Sequence, residues 1–183
     1  MARIRISGGE WRSRLLKVTD DIPGLRPTPD RVRGVLFNWL GQELDGLRCL
    51  DLFAGSGVLG FEAASRGAAH ITFVEHNPVA FRALQHSAAA LKNDAAPGRQ
   101  LELIRSDALK FASAVSLPYD LIFLDPPYHQ GWLERITPHL ARLAKPDARL
   151  YVEAEHPVTA LAGWHQTKSG RAGQVFYQLL EQA

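Results

Sequence analysis

Cysteine is nearly absent from this sequence. Cys49 is the only one in 183 residues, so the chain can form neither an internal disulfide nor a cysteine-rich metal site. It lies in the apolar run "LRCLDLF", where a buried, inert thiol is expected. No hydrophobic run approaches the roughly 20 residues that span a bilayer. The start, "MARIRISGGEWRSR", lacks the apolar stretch of a secretory signal, so a cytoplasmic protein without membrane association is expected. The seven histidines are scattered without ligand spacing, and no metal is expected. Repeats and low-complexity stretches are also missing. Net charge is only +2, yet residues 1–35 hold eight Lys/Arg against four acids, which leaves −2 for the rest. That asymmetry fits an anionic partner or a solvated basic face.

What is present suits one globular domain over 1–183, 46% hydrophobic and long enough for a substantial core. "RIRIS" and "SRLLKV" flank Gly8-Gly9 and predict a small β-hairpin. The proline-rich "DDIPGLRPTPD" is a loop. Thr28 is placed to cap the helix that follows, with Pro29 in its first turn and Val32, Leu36, Trp39 and Leu40 on its apolar face. From Arg48 onward strands ("RCLDLF", "HITFVE", "LELIRS", "YDLIFLD", "ARLYVEAE") alternate with helices ("VLGFEAASR", "PVAFRALQHSAAALKN", one from about Asp107, one within 131–143). The tail, "LAGWHQTKSGRAGQVFYQLLE", predicts two strands joined by a turn at Ser169-Gly170. The expected fold is α/β: a Rossmann-like, doubly wound, mostly parallel seven-stranded sheet with a C-terminal antiparallel hairpin, plus the small N-terminal hairpin extension.

Ligands of such sheets bind at the carboxyl ends of the strands, which directs attention to Asp51–Gly57, Glu75, Asp107 and Asp125. "DLFAGSGVLG" carries Gly55, Gly57 and Gly60 in the spacing G-x-G-x-x-G. A dinucleotide would set its pyrophosphate there, and Asp51 would oppose that negative charge. S-adenosylmethionine has no phosphate and carries a sulfonium and an ammonium, which a carboxylate suits. Glu75 lies 18 residues beyond Gly57, near where an acid reads ribose hydroxyls. Asp107 could accept from an adenine amine or cap a helix.

The fourth strand ends in "DPPY". Pro126 and Pro127 have no N–H, so the turn offers carbonyl oxygens and the Asp125 carboxylate, with Tyr128 as a stacking face. Acceptors beside an aromatic ring suit a planar group bearing an exocyclic amine. Such an amine is a poor nucleophile until its hydrogens are held on fixed oxygens and its lone pair is aimed. A carboxylate can accept guanine's adjacent N1–H and N2–H in bidentate fashion, which leans toward guanine. Of Trp11, Trp39, Trp132 and Trp164, only Trp132 is close enough in sequence to Tyr128 to be drawn into a site.

"DLFAGSG", "VE", "DA" and "DPPY" in this order resemble class I S-adenosylmethionine-dependent methyltransferases of exocyclic amines. "RISGGEWRSRLLKV", "LRPTPDRVRGVLFNWL" and the tail "KSGRAGQVFYQLL" narrow the likeness to the RsmD family, bacterial enzymes that methylate N2 of a guanine in 16S (small-subunit) ribosomal RNA. The resemblance spans nearly the whole chain. It implies that Asp51, Phe53, Ala54, Gly55 and Gly57 hold the methionine portion of the cofactor and Glu75 its ribose. It also implies that Asp107 and Ala108 flank the adenine, and that Asp125, Pro126, Pro127 and Tyr128 hold the target base. Arg3, Arg5, Arg12, Arg26, Arg31, Lys168 and Arg171 become candidates for RNA contact, with residues 1–27 as an RNA-contacting extension. Glu10 departs from the expected pattern, since a basic residue belongs near that position. The partner implied is 16S ribosomal RNA, in an assembled or partly assembled small subunit, met by a monomer. An N6-adenine methyltransferase and a non-catalytic RNA-binding or assembly factor remain alternatives.

Overall fold

A computed structural model describes residues 3–183. Two short strands, β1 (Arg3–Arg5) and β2 (Leu15–Lys17), pair antiparallel as the predicted N-terminal hairpin. Helix α1 (Asp30–Leu40) follows. Then come β3 (Arg48–Asp51), α2 (Val58–Ser65), β4 (His70–Glu75), α3 (Pro78–Lys92), β5 (Gln100–Arg105), α4 (Ala108–Ala114) and β6 (Tyr119–Leu124). The segment predicted as one helix within 131–143 is two short ones, α5 (Trp132–Ile136) and α6 (Leu140–Leu143), joined by a 3-10 turn containing Pro138. The chain closes with β7 (Ala144–Ala154), β8 (Ala160–Leu161), β9 (Trp164–Ala172) and β10 (Val175–Gln182).

The main sheet runs β5-β4-β3-β6-β7-β10-β9-β8. Strands β5, β4, β3, β6 and β7 are parallel, and β10, β9 and β8 are antiparallel. The Rossmann-like expectation holds, with the two-residue β8 added at one edge. Order reverses between β3 and β6, so the crevice above their carboxyl ends is the natural ligand site. Both faces of the sheet are buried. Cys49, Phe73, Leu121 and Phe123 point to one apolar cluster, and Leu50, Val74, Ile122, Leu124, Leu150 and Val152 to the other. Burial pushes the Cys49 thiol well up, so the expected inert cysteine is what the fold contains.

Two local expectations are corrected. Thr28 does not cap α1; Pro29 holds the cap position and no side chain bonds there. Thr28 instead points inward, and its hydroxyl donates to Glu153 at 2.7 Å. The C-terminal turn lies not at Ser169-Gly170 but around Gly173, in the left-handed region (φ 61°). Gly170 sits within β9 because a Cβ there would come within 2.3 Å of the Tyr177 ring.

The N-terminal extension is bolted down by a buried charge cluster. Glu62, fully buried on α2, accepts from the Ser7 backbone N–H (2.6 Å) and hydroxyl (2.7 Å). It also pairs with the buried Arg33 (3.3 Å) and with Arg66 (3.4 Å). Arg33 further donates to the carbonyls of Thr28 (2.7 Å) and Arg5 (2.8 Å), and pairs with Asp30. Thus one arginine of the basic N-terminal segment is a structural post rather than a free cation.

Candidate active site

Five acidic side chains gather at the carboxyl ends of neighbouring strands. Asp51 ends β3, Glu75 ends β4, Asp107 follows β5, Asp125 follows β6, and Glu153 lies one residue from the end of β7. The "FAGSG" turn is tied to the strands on either side: Leu52 N–H donates to the Phe123 carbonyl (3.3 Å), and Ala54 N–H to the Val74 carbonyl (2.9 Å). Asp51 is buried and accepts from the Gly60 N–H in the first turn of α2 at 3.1 Å. Glu75 accepts from Gly55 N–H and Asn77 N–H, both at 2.8 Å, and so braces the glycine turn from the adjoining strand. Asp107 caps α4, with one oxygen accepting from Leu109 and Lys110 N–H. The cap reading of Asp107 is therefore realised, at an exposed position.

The glycines serve packing as well as access. Gly57 is left-handed (φ 79°), and a Cβ there would meet Leu84 at 2.4 Å and Phe61 at 2.7 Å. At Gly60 a Cβ would meet the Phe73 ring at 2.3 Å, so this glycine lets α2 lie close on β4. Ala54 and Ala108 are buried. Phe53, half-buried, meets Trp132 edge-on at 5.4 Å between ring centres. Trp132, suspected from its place near Tyr128, thus packs against the cofactor turn, with Arg135 over its ring at 4.1 Å.

After β6, Asp125 is partly buried and Tyr128 half-buried. His129 is left-handed (φ 60°), and its N–H donates to Glu155 at 3.1 Å, which ties the exit of this turn to the segment after β7. A cavity of about 170 Å³ opens beside the turn, between Pro126, Pro127, Trp132, Glu155 and His156.

Sequence reasoning missed Glu153. It is 4% exposed, and its Oε1 accepts from the hydroxyls of Thr28 (2.7 Å) and Tyr151 (2.8 Å). Tyr151 and Glu153 alternate with Val152 and Ala154 on the strand, which reads in sequence as a half-exposed face. The available signal was the strand-end rule itself, applied one strand further along the sheet.

Negative charge dominates the crevice. Among the described residues, no Lys, Arg or His forms an ion pair with Asp51, Asp125 or Glu153. Burial pushes the Asp51 carboxyl up to about 8; the Gly60 N–H opposes this, while the charges of Glu75 and Glu153 add to it. Asp125 is driven well above the carboxylate range by burial, then by the charges of Glu153 and Asp51 and by a hydrogen bond to Glu153. Burial, then the charges of Asp125, Glu153 and Glu155, raise Tyr128. Buried acids lacking a counter-ion make a site that a cationic ligand would relieve.

The basic candidates divide between two places. Arg3, Arg5, Arg12, Arg26 and Arg31 are all exposed, on the hairpin, the proline-rich loop and the first turn of α1. Lys168 and Arg171 are exposed on β9, in the antiparallel half of the sheet, with Arg171 over the Phe176 ring. Other basic groups of the N-terminal region are engaged: Arg14 pairs with Asp94, and Glu10 is matched by Arg99, which lies over the Trp11 ring. The unexpected acid at position 10 is thus one half of a surface ion pair.

Comparison with known proteins follows the same line. The family described as conserved hypothetical protein 95 matches residues 4–181. Ribosomal RNA small subunit methyltransferase D of Escherichia coli strain K12 is 42% identical over 98% of this chain and 90% of its own length. The Haemophilus influenzae protein of the same name is 39% identical over 97% of this chain and 93% of its own. The solved structure of Escherichia coli yhhF is 40% identical, covers 100% of this chain and 99% of its own, and has a TM-score of 0.85. The hairpin extension, the glycine turn and the carboxyl-lined crevice are therefore read within one family: this chain belongs to the conserved hypothetical protein 95 family, the RsmD family of methyltransferases.

Proposed function

We propose that this chain transfers a methyl group from S-adenosylmethionine to the exocyclic N2 amine of a guanine in 16S ribosomal RNA. One observation carries the reading: buried carboxyls without counter-ions stand at the switch point beside the turn Asp125–Tyr128, whose two prolines carry no N–H. The names of the relatives supply the ribosomal RNA.

The residues present fit the cofactor, because Asp51 is a buried carboxyl with no counter-ion, which a cationic group would ionise and a dinucleotide phosphate would not. Asp51, Phe53, Ala54, Gly55 and Gly57 would hold its methionine portion, Glu75 its ribose, and Asp107 with Ala108 its adenine. Bound there, S-adenosylmethionine supplies an electrophilic methyl on a cationic sulfur. The rest of the work falls to the chain. Tyr128 stacks on the base, which must be unstacked from its neighbours to enter, at a cost of a few kcal/mol, roughly, unless it already lies in a loop. Asp125 and the proline-turn carbonyls accept the amine hydrogens, which turns the nitrogen lone pair toward the methyl and stabilises the positive charge that grows on nitrogen. Water takes the proton that the alkylated nitrogen sheds. The exposed arginines of the extension, with Lys168 and Arg171, grip phosphates and position the RNA without reading its sequence.

The test is transfer of labelled methyl from S-adenosylmethionine to small ribosomal subunits lacking the modification, for the wild type and Asp125→Ala, with cofactor affinity measured separately. The reading expects label in the small subunit that disappears in the variant while the cofactor still binds. Cofactor binding with no transfer to small subunits would refute the substrate assignment. No cofactor binding would refute the enzyme.

A further inference from the structure

Glu153 has no place in the fold's ion-pair scheme, yet it is held with care. In the parallel register Leu124 faces Val152, so the next step along each strand sets Asp125 beside Glu153. The two carboxyls lie close enough for the charge of Glu153 to push the Asp125 carboxyl up. Thr28 and Tyr151 both donate to Oε1 of Glu153, at 2.7 and 2.8 Å. Thr28 comes from the loop before α1, 125 residues away in the chain. Its carbonyl is in turn held by the buried Arg33.

A buried acid without a cation lowers stability relative to an uncharged residue of the same size. Among the described residues no cation pairs with this carboxyl. What it does touch is the aspartate at the head of the base-holding turn. The titratable groups acting on the pair include Asp51 from β3 on Asp125 and Tyr151 from β7 on Glu153, with Tyr128 of the turn raised by both carboxyls. None of these is a cation, so the two carboxyls settle their charge between themselves.

We propose that Glu153 is a positioning residue for the reaction assigned above. Its carboxyl shares one proton with Asp125 and fixes which Asp125 oxygen faces the incoming amine, while Thr28 and Tyr151 hold Glu153 in place. This inference rests on the methyltransferase reading for its purpose, but the carboxyl pair can be tested without it. Two like charges in contact cannot both ionise near neutral pH, so the pair titrates as a unit. With Thr28 and Tyr151 donating to Glu153, the charge rests there and the shared proton on Asp125. The free Asp125 oxygen is then the amine acceptor, in one fixed orientation.

The test uses full-length wild type, Glu153→Gln and Thr28→Val. Carbon-13 NMR of labelled aspartate carboxyls, with Asp125→Asn to assign the signal, follows Asp125 directly. In Glu153→Gln the neighbouring charge is gone, and the proton affinity of Asp125 falls about tenfold or more. Thr28→Val, which keeps the side-chain shape and removes one donor to Glu153, moves it the same way by less. The alkaline limb of the methyl-transfer profile on small subunits moves to lower pH with the NMR titration, while KM for subunits stays within about twofold. A merely structural Glu153 would alter folding or overall rate and leave both titrations in place. A folded Glu153→Gln protein with an unmoved Asp125 titration overturns the proposal. Absence of methyl transfer by the wild type would refute the enzyme reading instead, and the NMR titration would still decide the carboxyl pair.

Discussion

Replacing Asp51 with asparagine should make the cofactor-free protein more stable. The Asp51 carboxyl is 2% exposed, with a single backbone donor, Gly60, at 3.1 Å. Burial, partly offset by that bond and reinforced by Glu75 and Glu153, lifts the group from 3.8 to about 8. The folded chain therefore keeps a proton that the unfolded chain has released. Because the folded state binds more protons, stability falls as pH rises from the ordinary carboxylate value to about 8, and levels off above it. At roughly 1.36 kcal/mol per pH unit, the loss by neutral pH is on the order of 4 kcal/mol. Asparagine keeps an oxygen for the Gly60 N–H and removes the titration. Urea unfolding of wild type and Asp51→Asn at stepped pH, without cofactor, reads the effect. The variant should gain on the wild type as pH rises toward 8 and match it near pH 4. Affinity for S-adenosylmethionine should fall about tenfold or more, since a partner for its positive charge is lost. An advantage that does not grow with pH would refute the reasoning that Asp51 is an acid held against its own desolvation.

The remaining expectations concern the support of the site and its stacking face. Glu62→Gln leaves the buried guanidiniums of Arg33 and Arg66 without their carboxylate; it should cost about 3–5 kcal/mol in denaturant unfolding, and a loss under about 1 kcal/mol would contradict a buried-charge role. Gly57→Ala forces a Cβ into Leu84 and Phe61 at a left-handed position. It should lower stability by about 1–3 kcal/mol and weaken cofactor binding, both measurable by thermal melts with and without S-adenosylmethionine. Tyr128→Phe keeps the ring and should retain methyl transfer within about threefold, whereas Tyr128→Ala loses stacking worth about 1–3 kcal/mol; equal rates for the two variants would remove Tyr128 from the base-holding role.

Much of the fold was legible because its signals are local. The switching periodicity from Arg48 onward, the glycine turn after β3 and the N-cap Asn77-Pro78 entry to α3 need no distant partner. The carboxyls at the ends of β3, β4 and β6 followed from the strand-end rule. Several misreadings involve residues whose role is set by a partner the sequence does not place beside them. Thr28 has the composition of a cap, and only the arrival of β7 beside it turns its hydroxyl to Glu153. Ser169-Gly170 and Gly173 are equally good turn signals; the Tyr177 ring against Gly170 decides between them. Arg33 looked like one more cation in a basic segment until Glu62 was brought against it from α2. Glu153 was hidden by ordinary alternation in "LYVEAE", which cannot show that the glutamate's side faces a crevice rather than solvent.

The identity of the methylated nucleoside tests the central claim most directly. Small subunits lacking the modification would be incubated with the protein and labelled S-adenosylmethionine, then digested to nucleosides and resolved by mass spectrometry. The account predicts label in N2-methylguanosine, lost when Asp125 is replaced by alanine. Label in N6-methyladenosine, or N2-methylguanosine that persists in the Asp125→Ala protein, would contradict it.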